Sequence, residues 1–285
     1  MTTLLVGFDS AWTPTNAGSI VSILRHGDGK FIELGPPQVA DFSTAEGYIL
    51  QWQAEHLPTA TVVMLDQPTI VINASGQRPV ENIVGSPVSV RFGGMQPANT
   101  ARAEMFGEDA PVWRFLATFG GAADPLAAVA GTAVFETYPV LTMIALGWVV
   151  PDRRPKGRLP KYNPERRKTF ALSEWQYVCR LASTAFAERG LDGAARWLDE
   201  ATLIAQPSKR DQDGVDAYLC LLVALNLAEG KDCLMIGDLR SGYIVVPYGA
   251  ELVEELTARC RRTFRDPDEW VRAITPTLNL ARVRS

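Results

Sequence analysis

Histidine is almost absent from this sequence. The 285 residues contain two, His26 beside a glycine turn and His56 near the end of a polar segment, and neither lies in a motif typical of acid–base catalysis. The four cysteines are far apart and include no Cys-x-x-Cys pair, so the sequence predicts neither a zinc site nor a disulfide framework. Any chemistry is therefore expected to depend on carboxylates.

The sequence also lacks a long apolar run. The longest, residues 141–150 and 219–225, are much shorter than the roughly 20 residues that a membrane-spanning helix needs. Residues 1–9 have no basic region and place a carboxylate directly after a short apolar run, which is unlike a signal peptide. We expect a cytoplasmic protein without a membrane partner.

An excess of positive charge is missing as well. The formal net charge is −4, which argues against a protein that coats nucleic acid non-specifically. The charge is uneven: residues 1–150 carry 6 Lys/Arg and 13 Asp/Glu, which leaves 22 Lys/Arg and 19 Asp/Glu for the remainder. Eight of those 22 basic residues lie between positions 153 and 168.

The first part of the chain has the pattern of an antiparallel meander. Apolar, β-prone segments at residues 3–8, 18–24 and 30–34 predict three strands, and the Gly-Asp-Gly sequence at 27–29 predicts a turn between the last two. A hairpin at this position disfavours the alternative of a simple doubly wound parallel sheet.

A helix and a fourth strand are predicted next. Ser43 and Glu46 have the spacing of a capping box, and the composition remains helical as far as His56. Residues 61–65 then form a compact apolar run that ends in Asp66. The predicted order up to this point is β-β-β-α-β.

The remaining chain predicts an elaborated α/β domain. Residues 69–131 are an inserted region rich in Gly and Pro with only weak helical patches, and a fifth strand follows at 132–135. Helices are predicted at residues 173–189, 194–201 and 213–229. We predict one domain over residues 1–285, with a five-stranded mixed sheet flanked by helices and a C-terminal extension over 231–285.

Two carboxylates follow buried strands. Asp9 and Asp66 each stand where an apolar strand ends, so each side chain can emerge from the edge of the sheet into a cleft. An Asp in this position can instead begin a turn or cap the next element. The repetition of the same placement favours a shared site.

A second pair of carboxylates lies on the last predicted helix. Asp213 and Asp216 share one face because they are three residues apart. The same face continues as an apolar stripe through Cys220, Val223 and Leu227. The alternative is that these acids offset the helix macrodipole, with Asp211 or Asp213 as the N-cap. That alternative does not explain why they extend the buried face.

A cluster of carboxylates repels itself unless a positive charge lies nearby, and Mg2+ takes oxygen ligands. Two such ions about 4 Å apart can activate water and stabilise a leaving oxygen without histidine.

Glu136, which ends the fifth strand, is a further candidate for this acidic site. It can equally pair with an arginine or cap the following helix.

Four short segments contain these acids in order: Gly7-Phe8-Asp9-Ser10-Ala11-Trp12, Leu65-Asp66-Gln67-Pro68, Phe135-Glu136-Thr137-Tyr138-Pro139 and Asp213-Gly214-Val215-Asp216-Ala217. They resemble the motifs of the predicted RNase H-like nuclease family, catalogued as domain of unknown function 429. The last segment also resembles the final helix of RuvC-type Holliday-junction resolvases. The similarity extends from position 4 to about position 230.

The resemblance implies an RNase H-like fold and a metal-dependent nuclease that uses two Mg2+ or Mn2+ ions. Asp9 would bridge the ions, Asp66 would bind one, and Asp213 and Asp216 would complete the metal site, with Glu136 included among the catalytic acids. Arg78-Pro79 and Lys161-Tyr162 match further recurrent positions of the family. These similarities make Arg78 and Lys161 candidates for substrate binding.

Residues 153–168 form a basic segment that three prolines interrupt, so its first half is expected to be a stiff exposed loop, with Tyr162 available for stacking. One interpretation is that it binds phosphate near the acidic site, which adds Arg154, Lys156 and Arg158 to the candidate substrate-binding residues. The other is a solvated loop that balances the acidic half of the chain.

Three functions remain open from the sequence. The first is a nuclease with DNA or RNA as substrate. The second is a phosphotransferase with an actin-like core, although residues 13–18 are a poor match to the glycine-rich phosphate turn that this class needs. The third is a non-catalytic RNase H-like module that binds a partner. Oligomeric state is not predicted.

Overall fold

The computed structural model describes residues 2–275 and has a mixed α/β architecture with two sheets. The strands of the main sheet are β1 (Thr2–Asp9), β2 (Gly18–His26), β3 (Phe31–Glu33), β4 (Gln38–Ala40), β5 (Ala60–Leu65) and β6 (Gly131–Glu136). The second sheet contains β7 (Cys233–Asp238), β8 (Gly242–Pro247) and β9 (Val271–Ile274). The helices are α1 (Phe42–His56), α2 (Pro79–Val90), α3 (Ala103–Phe106), α4 (Pro111–Thr118), α5 (Pro139–Ala145), α6 (Leu172–Ala187), α7 (Asp192–Thr202), α8 (Lys209–Ala228), α9 (Ala250–Arg262) and α10 (Pro267–Trp270).

The main sheet has the strand order β3-β2-β1-β5-β6, with β4 also paired to β2. β2 is antiparallel to β1, β3 and β4, whereas β5 and β6 continue the sheet parallel to β1. The predicted mixed sheet flanked by helices is therefore confirmed, but it has six strands and not five. The additional strand, β4, has three residues and follows two prolines, which gives it too little apolar sequence to recognise.

The predicted turn between β2 and β3 is present. Gly29 adopts a left-handed φ of 89°, which glycine adopts at little cost, and His26 N donates a hydrogen bond of 2.8 Å to Lys30 O. The capping prediction for α1 is wrong in detail, because the N-cap is Asp41. Its side chain accepts a hydrogen bond from Thr44 N at 2.7 Å.

Two buried cores lie on opposite faces of the main sheet. Alternating residues of β1 divide between them, with Phe8 in the core beneath α1 and α4 and Leu5 in the core beneath α8. On the α1 side, Phe8 packs edge-on against Phe42 with ring centroids 5.5 Å apart. The core beneath α8 also contains residues of β7 and β8, so both sheets contribute to it.

The helix α8 forms the centre of this packing. It contacts β1, β2 and β5 of the main sheet as well as β7 and β8, and almost its whole length from Gln212 onwards is buried. Its N-cap is Ser208, which forms a capping box with Asp211. Asp213 and Asp216 therefore lie beyond the first turn and do not cap the helix.

The regions with weak sequence signals contain regular structure. The insertion includes α2, α3 and α4. The first residue of α2 is Pro79, and the side chain of Glu81 accepts a hydrogen bond from the backbone N–H of the N-cap residue, Arg78. The C-terminal extension, for which no elements were predicted, forms the second sheet and α9 and α10. Positions 276–285 of that extension lie outside the described residues.

Membrane insertion was not expected from the apolar runs. Within residues 2–275, every helix is too short or too polar to cross a membrane.

Gly7 allows α8 to approach β1. A methyl group at this position would lie 2.1 Å from the carbonyl oxygen of Ala217 and 2.5 Å from Leu221 N. We predict that Gly7→Ala lowers the free energy of unfolding by about 1–3 kcal/mol, because the backbone of α8 must move. Gly47→Ala is the control, since Gly47 is exposed in α1 with no atom nearby, and should stabilise by about 0.5–1 kcal/mol. Urea denaturation measures both, and equal effects would contradict this packing account.

Candidate active site

A cavity of about 640 Å³ lies at the carboxyl ends of β1 and β5, and Asp9, Asp66, Asp213 and Asp216 all line it. Asp9 is the last residue of β1, and Asp66 follows β5. These strands are parallel neighbours, and Asp66 N donates a hydrogen bond of 2.9 Å to Phe8 O. The close approach of α8 at Gly7 adds the other two carboxylates to the same site.

Burial and mutual repulsion disfavour the charged forms of these carboxyl groups. Asp9 is 5% exposed, and its burial, followed by the charges of Asp216 and Asp66, raises its pKa well above the ordinary value. Burial and the charge of Asp216 raise the pKa of Asp66 to about 8. The interaction of Asp66 with the Asp9 side chain opposes part of this rise in the pKa of Asp66.

Asp216 is held by neutral donors. Tyr162 OH donates to its Oδ1 at 2.7 Å, and Gln212 Nε2 donates to its Oδ2 at 2.9 Å. Burial raises the pKa of Asp216 to about 6, while the charge of Lys209 and these two hydrogen bonds oppose the rise. Tyr162 is buried and is not an exposed stacking residue, contrary to the sequence-based expectation.

Lys209 supplies positive charge to the cluster. Its Nζ forms a salt bridge with Asp213 Oδ1, and the side chain lines the cavity. Burial disfavours its charged form, but the charges of Asp9, Asp213 and Asp216 outweigh burial and raise the pKa of Lys209. Lys209 was not among the predicted site residues, because the predicted helix began at Asp213, four residues after the position where α8 begins.

The chemistry of the cluster fits a hard divalent cation, because all four side chains offer carboxylate oxygens and the positive charge of Lys209 balances only part of their negative charge. The positions of the side chains do not yet form a metal site. Among residues 2–275, no set of three or more His, Cys, Asp or Glu side chains is arranged to hold a metal ion. In this arrangement Lys209 binds Asp213, while Tyr162 and Gln212 bind Asp216.

Glu136 and Arg78 form a buried ion pair at the border of the cavity. Arg78 Nη1 and Nη2 donate to the two oxygens of Glu136 at 2.9 and 2.6 Å, and Arg78 Nε donates to Glu81 at 2.7 Å. Glu136 also accepts a hydrogen bond from Thr69 N at 3.0 Å. The ion pair gives both residues a structural role, and both also line the cavity, so the substrate binding expected of Arg78 and the catalysis expected of Glu136 stay predictions. An arginine partner for Glu136 was the alternative that the sequence left open.

The basic segment is folded against the body of the protein. Arg154 pairs with Asp152, Lys156 with Glu255 at 2.7 Å, and Arg158 with Glu174. None of these three cations lines the cavity. The structure thus does not place them as expected for phosphate binding at the acidic site. Glu255 of α9 and Glu174 of α6 bind Lys156 and Arg158, and Asp152 of the same segment binds Arg154.

Two other cations of the segment do line the cavity, namely Lys161 and Arg166. Lys161 Nζ donates a hydrogen bond of 3.3 Å to Phe92 O. Because Lys161 lines the cavity, its position is compatible with the predicted substrate binding. Arg166 was recognised as part of the basic segment but was not selected as a site residue. Sequence alone offered no signal that distinguished it from Arg167 or Lys168.

A family model described as protein of unknown function, DUF429, matches residues 7–239. The chain belongs to the DUF429 family. The matched part includes all four cavity carboxylates together with Lys209 and Tyr162. No curated protein and no solved structure matches the chain.

The raised pKa values predict an unusual pH dependence for this DUF429 protein. The pKa of Asp66 is 3.8 in the unfolded chain and is raised to about 8 in the folded protein. The contribution of Asp66 to stability is therefore complete below pH 4 and is lost progressively as the pH rises through 8. We predict that the melting temperature in EDTA falls between pH 5 and 8, and that Asp66→Asn reduces this fall. Asp41→Asn, which retains an N-cap outside the cavity, should behave like wild type. A fall unaffected by Asp66→Asn would be inconsistent with the assignment.

Proposed function

We propose that the chain is a metal-dependent nuclease that hydrolyses phosphodiester bonds of nucleic acid. The observation that supports this most strongly is the convergence of four carboxylates, from the ends of two parallel strands and from one helix, on a single cavity. No histidine of the described residues lines that cavity. Its chemistry must therefore depend on carboxylates, lysine, arginine and tyrosine.

We further propose that the fold is RNase H-like. Three antiparallel strands are followed by two strands parallel to the first, and acids stand at the ends of the first and of the strand beside it. A helix later in the chain, α8, then adds two acids. This is the order that the sequence resemblance implies, and fold membership alone would not establish the activity.

Asp9, Asp66, Asp213 and Asp216 are the residues that would hold Mg2+ or Mn2+. When bound, such ions would activate a water nucleophile and stabilise the leaving oxygen of the phosphodiester. Tyr162 and Gln212 fix the orientation of Asp216 through their two hydrogen bonds. Asp213 binds Lys209 through Oδ1, and we expect this salt bridge to open when Asp213 becomes a ligand.

The cations at the cavity fit a phosphate-bearing substrate. Lys161, Arg166 and Lys209 line the same space as the carboxylates, which places positive charge beside the acidic floor. These cations would attract the phosphates of an entering strand. The protein needs no strongly basic surface for this, because the positive charge is local.

The proposal is tested with single-stranded, double-stranded, hybrid and branched substrates in Mg2+, Mn2+ or EDTA. We predict metal-dependent cleavage of at least one substrate, with at least a hundredfold loss in Asp9→Asn. Asp211→Asn is the matched control because Asp211 lies on α8 but outside the cavity, and it should retain activity. No cleavage under any condition would contradict the proposal, and stabilisation by a nucleotide alone would favour a phosphotransferase.

The same variant separates a metal site from a structural carboxylate. Asp9→Asn removes like-charge repulsion, so the metal-free protein should be at least as stable as wild type, while stabilisation by Mg2+ should disappear. Thermal melts with Mg2+ and with EDTA measure both effects. A destabilised variant that keeps its Mg2+ response would instead show that Asp9 has a structural role.

A further inference from the structure

Two aromatic residues of the cavity have strained backbones. Trp12 and Phe92 adopt left-handed φ angles of 64° and 59°, and both line the cavity that contains the carboxylates. Only Leu57 and Phe264 share this conformation among the non-glycine residues within 2–275. Strain of this kind costs about 1–3 kcal/mol per residue and concentrates at functional sites. Phe92 takes this conformation just after the end of α2, as Leu57 and Phe264 do at the ends of α1 and α9, and helix C-termini are its ordinary place. Trp12 follows no helix, so its conformation calls for another reason.

Trp12 is fixed beside a candidate metal ligand. Its indole Nε1 donates a hydrogen bond of 2.7 Å to the carbonyl oxygen of Asp66, and its ring packs edge-on against Phe106 with centroids 5.8 Å apart. The side chain is only half-buried and forms part of the cavity wall. A rigid aromatic surface thus lies next to the strand end that carries Asp66.

Phe92 provides a second aromatic surface. Its side chain is 55% exposed, although burial is what normally stabilises phenylalanine. The Arg154 guanidinium lies 3.7 Å from the ring centroid, and Lys161 Nζ donates to the backbone carbonyl of the same residue. The ring is therefore held in place by cations while much of its surface remains accessible.

Aromatic side chains beside cations are the usual means of binding unpaired nucleic acid. Bases stack on such rings regardless of sequence, whereas the bases of a duplex are already stacked and paired. The cavity has a buried floor, since Asp9 and Asp216 are each 5% exposed, so a strand must enter it to reach them. A single strand can enter more easily than a duplex, whose two strands are held together.

We propose that Trp12 and Phe92 are stacking residues that bind unpaired bases and select single-stranded nucleic acid at this cavity. This inference rests on the proposed nuclease function, because it assigns the substrate class of the same site. Trp12 receives a base next to Asp66, and Phe92 receives another beside Lys161.

The test measures binding in EDTA, where metal-dependent cleavage does not occur. A labelled single-stranded oligonucleotide of mixed sequence, the matching duplex and an abasic strand of equal length are titrated by fluorescence anisotropy. We expect wild type to bind the single strand most tightly. Trp12→Leu and Phe92→Leu should each weaken that binding by about fivefold to a hundredfold, with little change for the abasic strand.

The chain provides matched controls for both substitutions. Trp113 also donates its indole N–H to a backbone carbonyl at 2.7 Å, that of Gly107, but does not line the cavity. Phe264 is fully exposed with a left-handed φ of 56° and is likewise outside the cavity. Trp113→Leu and Phe264→Leu should leave affinity for the single strand unchanged.

Trp12→Phe retains an aromatic face and should recover part of the affinity lost in Trp12→Leu. The abasic comparison uses the wild-type protein, so it remains informative if Trp12→Leu does not fold. Equal affinity of wild type for the abasic and normal strands, or no binding of the single strand, would overturn the inference. Base-dependent binding without cleavage in any metal would support it while contradicting the nuclease proposal.

Discussion

Repulsion among buried carboxylates is the constraint on which this structure depends. Four aspartates line one cavity, and the pKa values of Asp9, Asp66 and Asp216 are raised because burial and like charge both disfavour ionisation. The ammonium group of Lys209 and the neutral donors on Asp216 reduce this repulsion.

The rest of the fold keeps this unfavourable cluster together. The absence of a side chain at Gly7 lets α8 pack against β1, and α8 is buried between the two sheets along most of its length. The ion pair of Arg78 and Glu136 ties the start of α2 to the end of β6 at the border of the cavity. A buried pair of this kind adds little net stability but is costly to break, which favours one arrangement of these segments. Rigid packing thus holds groups that would otherwise separate.

Local signals allowed the sequence to predict the turn at Gly29, the strand ends at Asp9 and Asp66 and the α8 helix, because each depends on residues close in the chain. Long-range partners were not predictable. Lys156 pairs with Glu255, 99 residues away, and Glu136 pairs with Arg78, 58 residues away. The first pair fixes a cation of the predicted phosphate-binding segment to α9, and the second fixes a predicted catalytic acid to the start of α2. The cations that do reach the cavity were distinguishable only once the backbone path was known.

The most direct test of the account is whether a divalent cation binds among the carboxylates. Crystals soaked in Mn2+ should show anomalous scattering in the cavity against Asp9, with the salt bridge between Lys209 and Asp213 opened. Crystals of Asp9→Asn treated in the same way should lack that signal. An empty cavity in the wild-type crystals, with Lys209 still bound to Asp213, would contradict the account.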